Sequence, residues 1–242
     1  MSLTTVKTVR ELAVAVPGAT QVFEKFGIDY CCGGNRTLEQ ACQGAHVSLD
    51  QLEDALASAG QISSGFRNDR RWQVEPLVDL IDHIENNHHK YVRETCLRLE
   101  PLFDKVCSVH GKNHPELPLL RDIFGGLAQE LSTHMMKEEV VLFPYIARME
   151  EAAIESSPVI PPPFGTVRNP VAMMIHEHDD AGAALQQLRQ ASNGYTAPLD
   201  ACASYRALYQ ALADFETDLH QHIHLENNIL FPRAIEMERT AR

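Results

Sequence analysis

The sequence predicts an all-α protein, a four-helix bundle preceded by a small helical domain. Three observations lead there. Four long windows between Pro76 and Glu238 carry apolar residues at three- and four-residue steps, and no alternating strand pattern competes with them. One stretch occurs twice at a constant offset. It reads His134-Met-Met-Lys-Glu138 running on to Leu142-Phe143-Pro144, and His222-Ile-His-Leu-Glu226 running on to Leu230-Phe231-Pro232, with Met149-Glu150 and Met237-Glu238 matching further on. A proline-rich connection, Ser156 to Pro170, separates the copies, so the windows form two helical hairpins with the repeat near the end of each second helix.

Residues 1–65 read as a domain of their own. A helix over Val9 to Val16 ends at Pro17-Gly18, and a second over Ala19 to Phe26 is closed by Gly27. Thr37-Leu-Glu-Gln40 has the form of a capping box, and Ser48-Leu-Asp-Gln51 repeats it ahead of Leu52, Ala55 and Leu56. Between Gly27 and Thr37 lies Asp29-Tyr30-Cys31-Cys32-Gly33-Gly34, a turn whose glycines leave the backbone free and the thiols accessible. Residues 60–72, rich in Gly, Ser, Asn and Asp, form the expected linker.

The bundle then occupies residues 72–242. Its first helix runs from Pro76 to about His110, with Pro101 expected to kink or break it. Gly111 to Pro118 is a turn, and a second helix from Leu119 to Glu151 carries the first copy of the repeat. Gly125-Gly126 within it would let a neighbouring helix approach closely. The third helix spans Val171 to about Gln190 and stops at Asn193-Gly194; the fourth, from Leu199 to about Glu238, carries the second copy.

With 242 residues the chain can bury a sizeable core. Its net charge of -12 argues against docking on nucleic acid phosphates or an anionic membrane surface. No run of about 18 apolar residues occurs and no apolar signal core follows the N-terminus, so a cytoplasmic location is expected. There the six cysteines are thiols by default. The twelve histidines are the compositional oddity.

On a helix, residues four apart lie about 6 Å apart along the axis on one face, so each copy of the repeat points an imidazole and a carboxylate the same way. Carrying the repeat one helix earlier pairs His89 with His178, within one residue of the same offset. The resulting set is His89, His134, Glu138, His178, His222 and Glu226. Six donors are too many for one tetrahedral zinc and too few to saturate two octahedral ions, which points to a two-metal site with carboxylate bridges and open positions. Burying two carboxylates without compensation costs several kcal/mol, which metal ions offset. His176 points about 200° away from His178 on their helix and is set aside. His220 and His224 lie on a face roughly opposite His222 and are expected to face solvent. Periodicity leaves His88 and His89 both open, and Glu85 with His88 has Glu-x-x-His spacing. The Leu-Phe-Pro after each pair reads as structural, packing or bending the helix beyond the site.

This donor set resembles that of hemerythrin-like di-iron proteins, and Asp29-Tyr-Cys-Cys-Gly-Gly resembles the motif of the ScdA-type N-terminal domain. With Ser132-Thr-His-Met-Met-Lys-Glu-Glu139 and Leu225-Glu-Asn-Asn-Ile-Leu-Phe-Pro232, the chain is similar to the Repair of Iron Centres family over nearly its whole length. The resemblance implies a hemerythrin-like bundle holding two iron ions as an oxo- and carboxylate-bridged centre. It places the ligand of the first helix at His89, six residues after Ile81-Asp82-His83. It implies a cytoplasmic bacterial protein, induced by nitrosative and oxidative stress, that repairs damaged iron-sulfur clusters by supplying iron. Cys31 and Cys32 are then the candidate relay thiols. Expected partners are damaged iron-sulfur proteins, nitric oxide and, in a homodimer, a second copy of the chain. The alternative is a nitric oxide-binding or nitric oxide-reducing protein, which leaves enzymatic reductase or peroxidase activity open. Four histidines stand where oxygen carriers of this fold typically have five, which weakens an oxygen-carrier reading.

Overall fold

A computed structural model describes residues 7–62 and 72–240, with only the backbone for residues 60–62. The N-terminal domain contains α1 (Val9–Ala15), α2 (Ala19–Phe26), α3 (Leu38–Ala45) and α4 (Leu49–Ile62). Thr37 caps α3 through the expected box with Gln40, and Thr8 caps α1 through a second box with Glu11. Gly27, at φ 64°, closes α2. Most of the linker expected over residues 60–72 lies outside the described residues.

Four helical rods form the bundle. The first joins α5 (Leu77–His83) to α6 (Lys90–His110) through a wide π-helical segment, Ile84–His89. The second joins α7 (Glu116–Lys137) to α8 (Phe143–Glu155) through a wide segment at Glu138–Leu142. The third is α9 (Arg168–Ala191), and the fourth joins α10 (Ala203–Leu225) to α11 (Phe231–Thr240) through Glu226–Leu230. In the bundle, α7 packs on α6 and α9, and α10 packs on α6. Among the described residues there is no β-strand, only an isolated bridge between Thr8 and Thr37. No helix among them is long and apolar enough to cross a membrane.

Several boundaries differ from the sequence reading. Helix α6 runs through Pro101 unbroken. The carbonyl that loses its partner there belongs to Leu97, which is 74% exposed, so water can satisfy it. Pro170 and Pro118 fall inside the first turns of α9 and α7, where a missing N–H leaves no ladder bond unmade. Helix α10 starts at Ala203, four residues after Leu199. At Gly125 and Gly126 an added Cβ would meet nothing within 4 Å, so these glycines serve no close helix approach.

The core is divided. One apolar cluster joins the N-terminal domain to the α6, α7, α9 and α10 segments beyond the site, through Phe23, Tyr30, Phe103, Phe124 and Phe215. A second, with Leu80, Ile84, Phe143, Met174 and Phe231, fills the other end. Between them lies a buried polar layer containing His89, His134, Glu138, His178, His222 and Glu226.

Candidate metal centre

The wide segments position this layer. His134 and His222 sit in the last turns of α7 and α10, and each is followed one turn later by the glutamate that opens a wide segment. The carbonyls of Glu138 and Glu226 accept from the N–H of Phe143 and Phe231, five residues on rather than four. Each wide segment therefore inserts an extra residue, which turns the following helix relative to the preceding one and frees backbone at the site. Pro144 and Pro232, which lack an N–H, stand two residues beyond the ends of these segments, in the first turns of α8 and α11, where the regular ladder is already interrupted. The repeated Leu-Phe-Pro thus marks the return from π to α geometry. The third wide segment ends on His89.

Two groups of donors result: His89, Glu138, His222 and Glu226, and His134, Glu138, His178 and Glu226, with donor atoms within 4.8 Å of one another in each. Both carboxylates belong to both groups. All four imidazoles present Nε2 to the centre. His89 Nε2 stands 3.1 Å from His222 Nε2, and His178 Nε2 stands 3.0 Å from His134 Nε2. Two nitrogens in cis positions on one octahedral ion, with bonds of about 2.1 Å, lie about 3.0 Å apart. Glu138 Oε2 is 3.4 Å from His89 Nε2 and 3.3 Å from His134 Nε2; Glu226 reaches His222 at 3.0 Å and His178 at 3.1 Å.

Hydrogen bonding does not account for these oxygens. Both Glu138 oxygens and Glu226 Oε2 are buried with no hydrogen-bond partner. Such orphaned anionic atoms are rare and costly in a folded chain. Cations would satisfy them, so the donor set fits metal binding.

The electrostatics agree. Burial disfavours the charged form of His89, but Glu138 and Glu226 outweigh it and raise its pKa to about 10. Burial likewise opposes charge on His134, and Glu138, Glu226 and Glu177 raise its pKa to about 9. Burial and the neighbouring Glu226 work to raise Glu138, yet His134 and His89 hold it below the usual carboxylate range. Glu226 is held well below that range, burial being overcome by His222, His178 and His89. Burial lowers His222. Two carboxylates at full charge thus draw positive charge from whatever surrounds them.

Outer partners orient three of the imidazoles. His89 Nδ1 lies 2.7 Å from Glu139, which Arg93 also holds at 2.6 Å. His134 Nδ1 lies 2.8 Å from Glu177, which pairs with Lys137. His178 Nδ1 lies 2.9 Å from Asn227 Oδ1. His88 points away from the donor groups toward Asp218, 3.1 Å off, and its ring stacks on His222 at 5.7 Å. Sequence reasoning missed Glu139, Glu177 and Asn227. Their signal was adjacency, since each sits directly beside a donor and supports a donor on another helix.

The N-terminal domain closes over this layer. Asn227 donates to the Cys31 carbonyl at 3.3 Å, and Asn228 donates to the Tyr30 carbonyl at 2.9 Å while accepting from Arg10 at 2.7 Å. His220 and His224 do not face solvent as expected. His220 pairs with Glu24 at 2.7 Å, and His224, 4% exposed, packs edge-on against the Tyr30 ring. The thiols are less accessible than expected as well. Cys31 is 5% exposed, whereas Cys32 is half-buried with its Sγ 3.6 Å from the His178 carbonyl.

An all-α bundle with paired His and Glu groups at its centre defines a cation-binding protein of the hemerythrin type. Residues 80–234 match the hemerythrin HHE cation binding domain, and residues 5–60 match the ScdA_N domain, described as of unknown function. The chain is 39% identical to a "Probable iron-sulfur cluster repair protein" of Haemophilus influenzae over 93% of this chain and 95% of that one. It is 38% identical to the iron-sulfur cluster repair protein YtfE of Musicola paradisiaca, covering 96% and 97% of the two chains. Against the protein of that name in Escherichia coli O81 the identity is 37%, over 93% and 94%. The chain belongs to this family of hemerythrin-type iron-sulfur cluster repair proteins.

Proposed function

We propose that the chain is a cytoplasmic di-iron protein that repairs iron-sulfur clusters damaged by nitrosative or oxidative stress, supplying iron to them. The observation that carries this reading is the sharing of Glu138 and Glu226 between two buried donor groups whose orphaned oxygens call for cations. His89 and His222 would hold one ion, His134 and His178 the other, with the two glutamates bridging. Iron held there supplies an exchangeable metal ion and redox chemistry. The chain's own residues do the rest. Glu139, Glu177 and Asn227 fix the imidazole tautomers, and the two apolar clusters keep water from the carboxylates. The N-terminal domain, residues 1–65, brings Cys31 and Cys32 to the bundle, residues 72–242, as relay thiols. The relatives' names support the repair role. Damaged iron-sulfur proteins are the substrates, and a homodimer is the assembly to check by sedimentation.

The test is reactivation. Iron-loaded protein should restore activity to a nitric oxide-damaged cluster enzyme, and metal-free protein should not; equal recovery with both would end the repair reading. A second reading, binding or reduction of nitric oxide, draws on a groove of about 520 Å³ between α7 and α9, lined by Gly126, Thr133, His134, Lys137 and Glu177. It gives a small molecule a route to His134. Anaerobic addition of nitric oxide separates the readings, because stoichiometric nitrous oxide favours the reductase.

A further inference from the structure

A second set of donors lies outside the bundle. We infer that Asp29, Cys31 and Cys32 form a separate site for one borderline-soft divalent cation of the iron(II) and zinc(II) class. The three donors lie within 4.8 Å of one another. Their separations match what one ion requires: Sγ to Sγ is 3.7 Å and Cys31 Sγ to Asp29 Oδ1 is 3.5 Å. A tetrahedral ion with bonds of about 2.3 Å to sulfur and about 2.1 Å to oxygen sets those edges at about 3.8 Å and about 3.6 Å. Two thiolates and a carboxylate also select this class of ion over magnesium or calcium, which prefer oxygen throughout.

The carboxylate is fixed in advance. Asp29 Oδ1 accepts the backbone N–H groups of Cys31 and Cys32 at 3.1 and 2.9 Å, and Oδ2 accepts that of Gly33 at 2.9 Å. The loop is therefore folded around the anion. The chain passes close here: an added Cβ at Gly33 would stand 2.8 Å from Asp29 Oδ2 and 2.2 Å from Arg36 Nη2, so the Arg36 side chain would have to move aside. Arg36 Nη2, 3.5 Å from Oδ2, offsets part of the site's negative charge.

All three donors line a cleft of about 530 Å³ between the N-terminal domain and the bundle, whose walls also carry Glu24, Asp179 and Glu216 beside Arg36, Arg189 and His220. Binding replaces the two S–H protons, which leave to solvent through this cleft, by one dication. The site also touches the bundle centre: Cys32 Sγ lies 3.6 Å from the His178 carbonyl, and Asn227 joins the Cys31 carbonyl to His178 Nδ1. It is thus placed to pass an ion between the bundle and the cleft. That transfer role rests on the repair reading above; the site itself does not.

Cobalt(II) is the probe, titrated into the full chain carrying Glu138→Gln and Glu226→Gln to silence the bundle. The expected result is a thiolate-to-cobalt charge-transfer band that saturates at about one ion per chain. The band should vanish in Cys32→Ser and need at least tenfold more cobalt in Asp29→Asn, a loss of the size seen even for outer partners of metal ligands. No thiolate band, or a band unchanged in Cys32→Ser, overturns the site. A measurement free of substitutions is alkylation of Cys32 in the wild-type chain, which zinc should slow at least tenfold; equal rates with and without zinc contradict the proposal. A thiolate band in this titration together with wild-type, iron-loaded protein that fails to reactivate a damaged cluster enzyme would count against the repair reading alone.

Discussion

Three of the four imidazoles of the centre depend on a residue from another part of the chain. Glu139 steadies His89, Glu177 steadies His134 and Asn227 steadies His178. Glu139→Ala, Glu177→Ala and Asn227→Ala should each weaken metal binding by about 10- to 100-fold, measured by competition with a chelator. Retention of wild-type affinity in all three would show that these contacts do not tune the donors. His134, Glu138, His222 and Glu226 were legible in sequence because a His and a Glu four apart, duplicated at one offset, leave a local pattern, whereas periodicity left His88 and His89 open and the family resemblance decided for His89. Their supports were not, since His89 and Glu139 are separated by 50 positions and meet only through packing. His220 and His224 misled for a related reason. Helical periodicity shows that they point away from His222, but it cannot show that a second domain covers that face.

At the scale of the elements, the wide segments make the site. Helix extents and the turn at Gly27 followed from apolar periodicity and capping chemistry. The π segments did not, because an extra residue in a turn changes no composition; only the repeated Leu-Phe-Pro hinted at it. Val140, 69% exposed within Glu138–Leu142, offers a direct test. Deleting it should return that rod to regular α geometry and rotate α8 by about 100° against α7. We expect loss of bound metal and a lower melting temperature. Unchanged metal content would mean that the wide segment is incidental. The docking loop makes a comparable prediction. A Cβ on Gly34 would come 3.0 Å from the Tyr30 carbonyl and 3.1 Å from Arg10 Cβ, so Gly34→Ala should destabilise the docked domain by about 1–3 kcal/mol. Hydrogen exchange at residues 30–34 should then quicken.

For the whole molecule, the two apolar clusters and the docked N-terminal domain enclose paired carboxylates that must be balanced by protons or by metal. Without metal, His89 and His134 carry that balance, with pKa values raised to about 10 and about 9. A histidine raised in the folded state stabilises fully below its unfolded value of about 6.5, and its contribution is lost as pH climbs through the folded value. Metal-free protein should therefore melt at progressively lower temperature as pH rises from about 6.5 to about 10, and level off above that. Iron-loaded protein should show little of that dependence, and loading near neutral pH should release about two protons per chain, read by calorimetry in buffers of different ionisation enthalpy. Metal content decides whether Glu138 and Glu226 are shared by two iron ions, as proposed. The protein as isolated should hold about two irons per chain, with both lost in Glu138→Ala and again in Glu226→Ala. Full occupancy by zinc, or a single iron that survives removal of either carboxylate, would contradict the proposal.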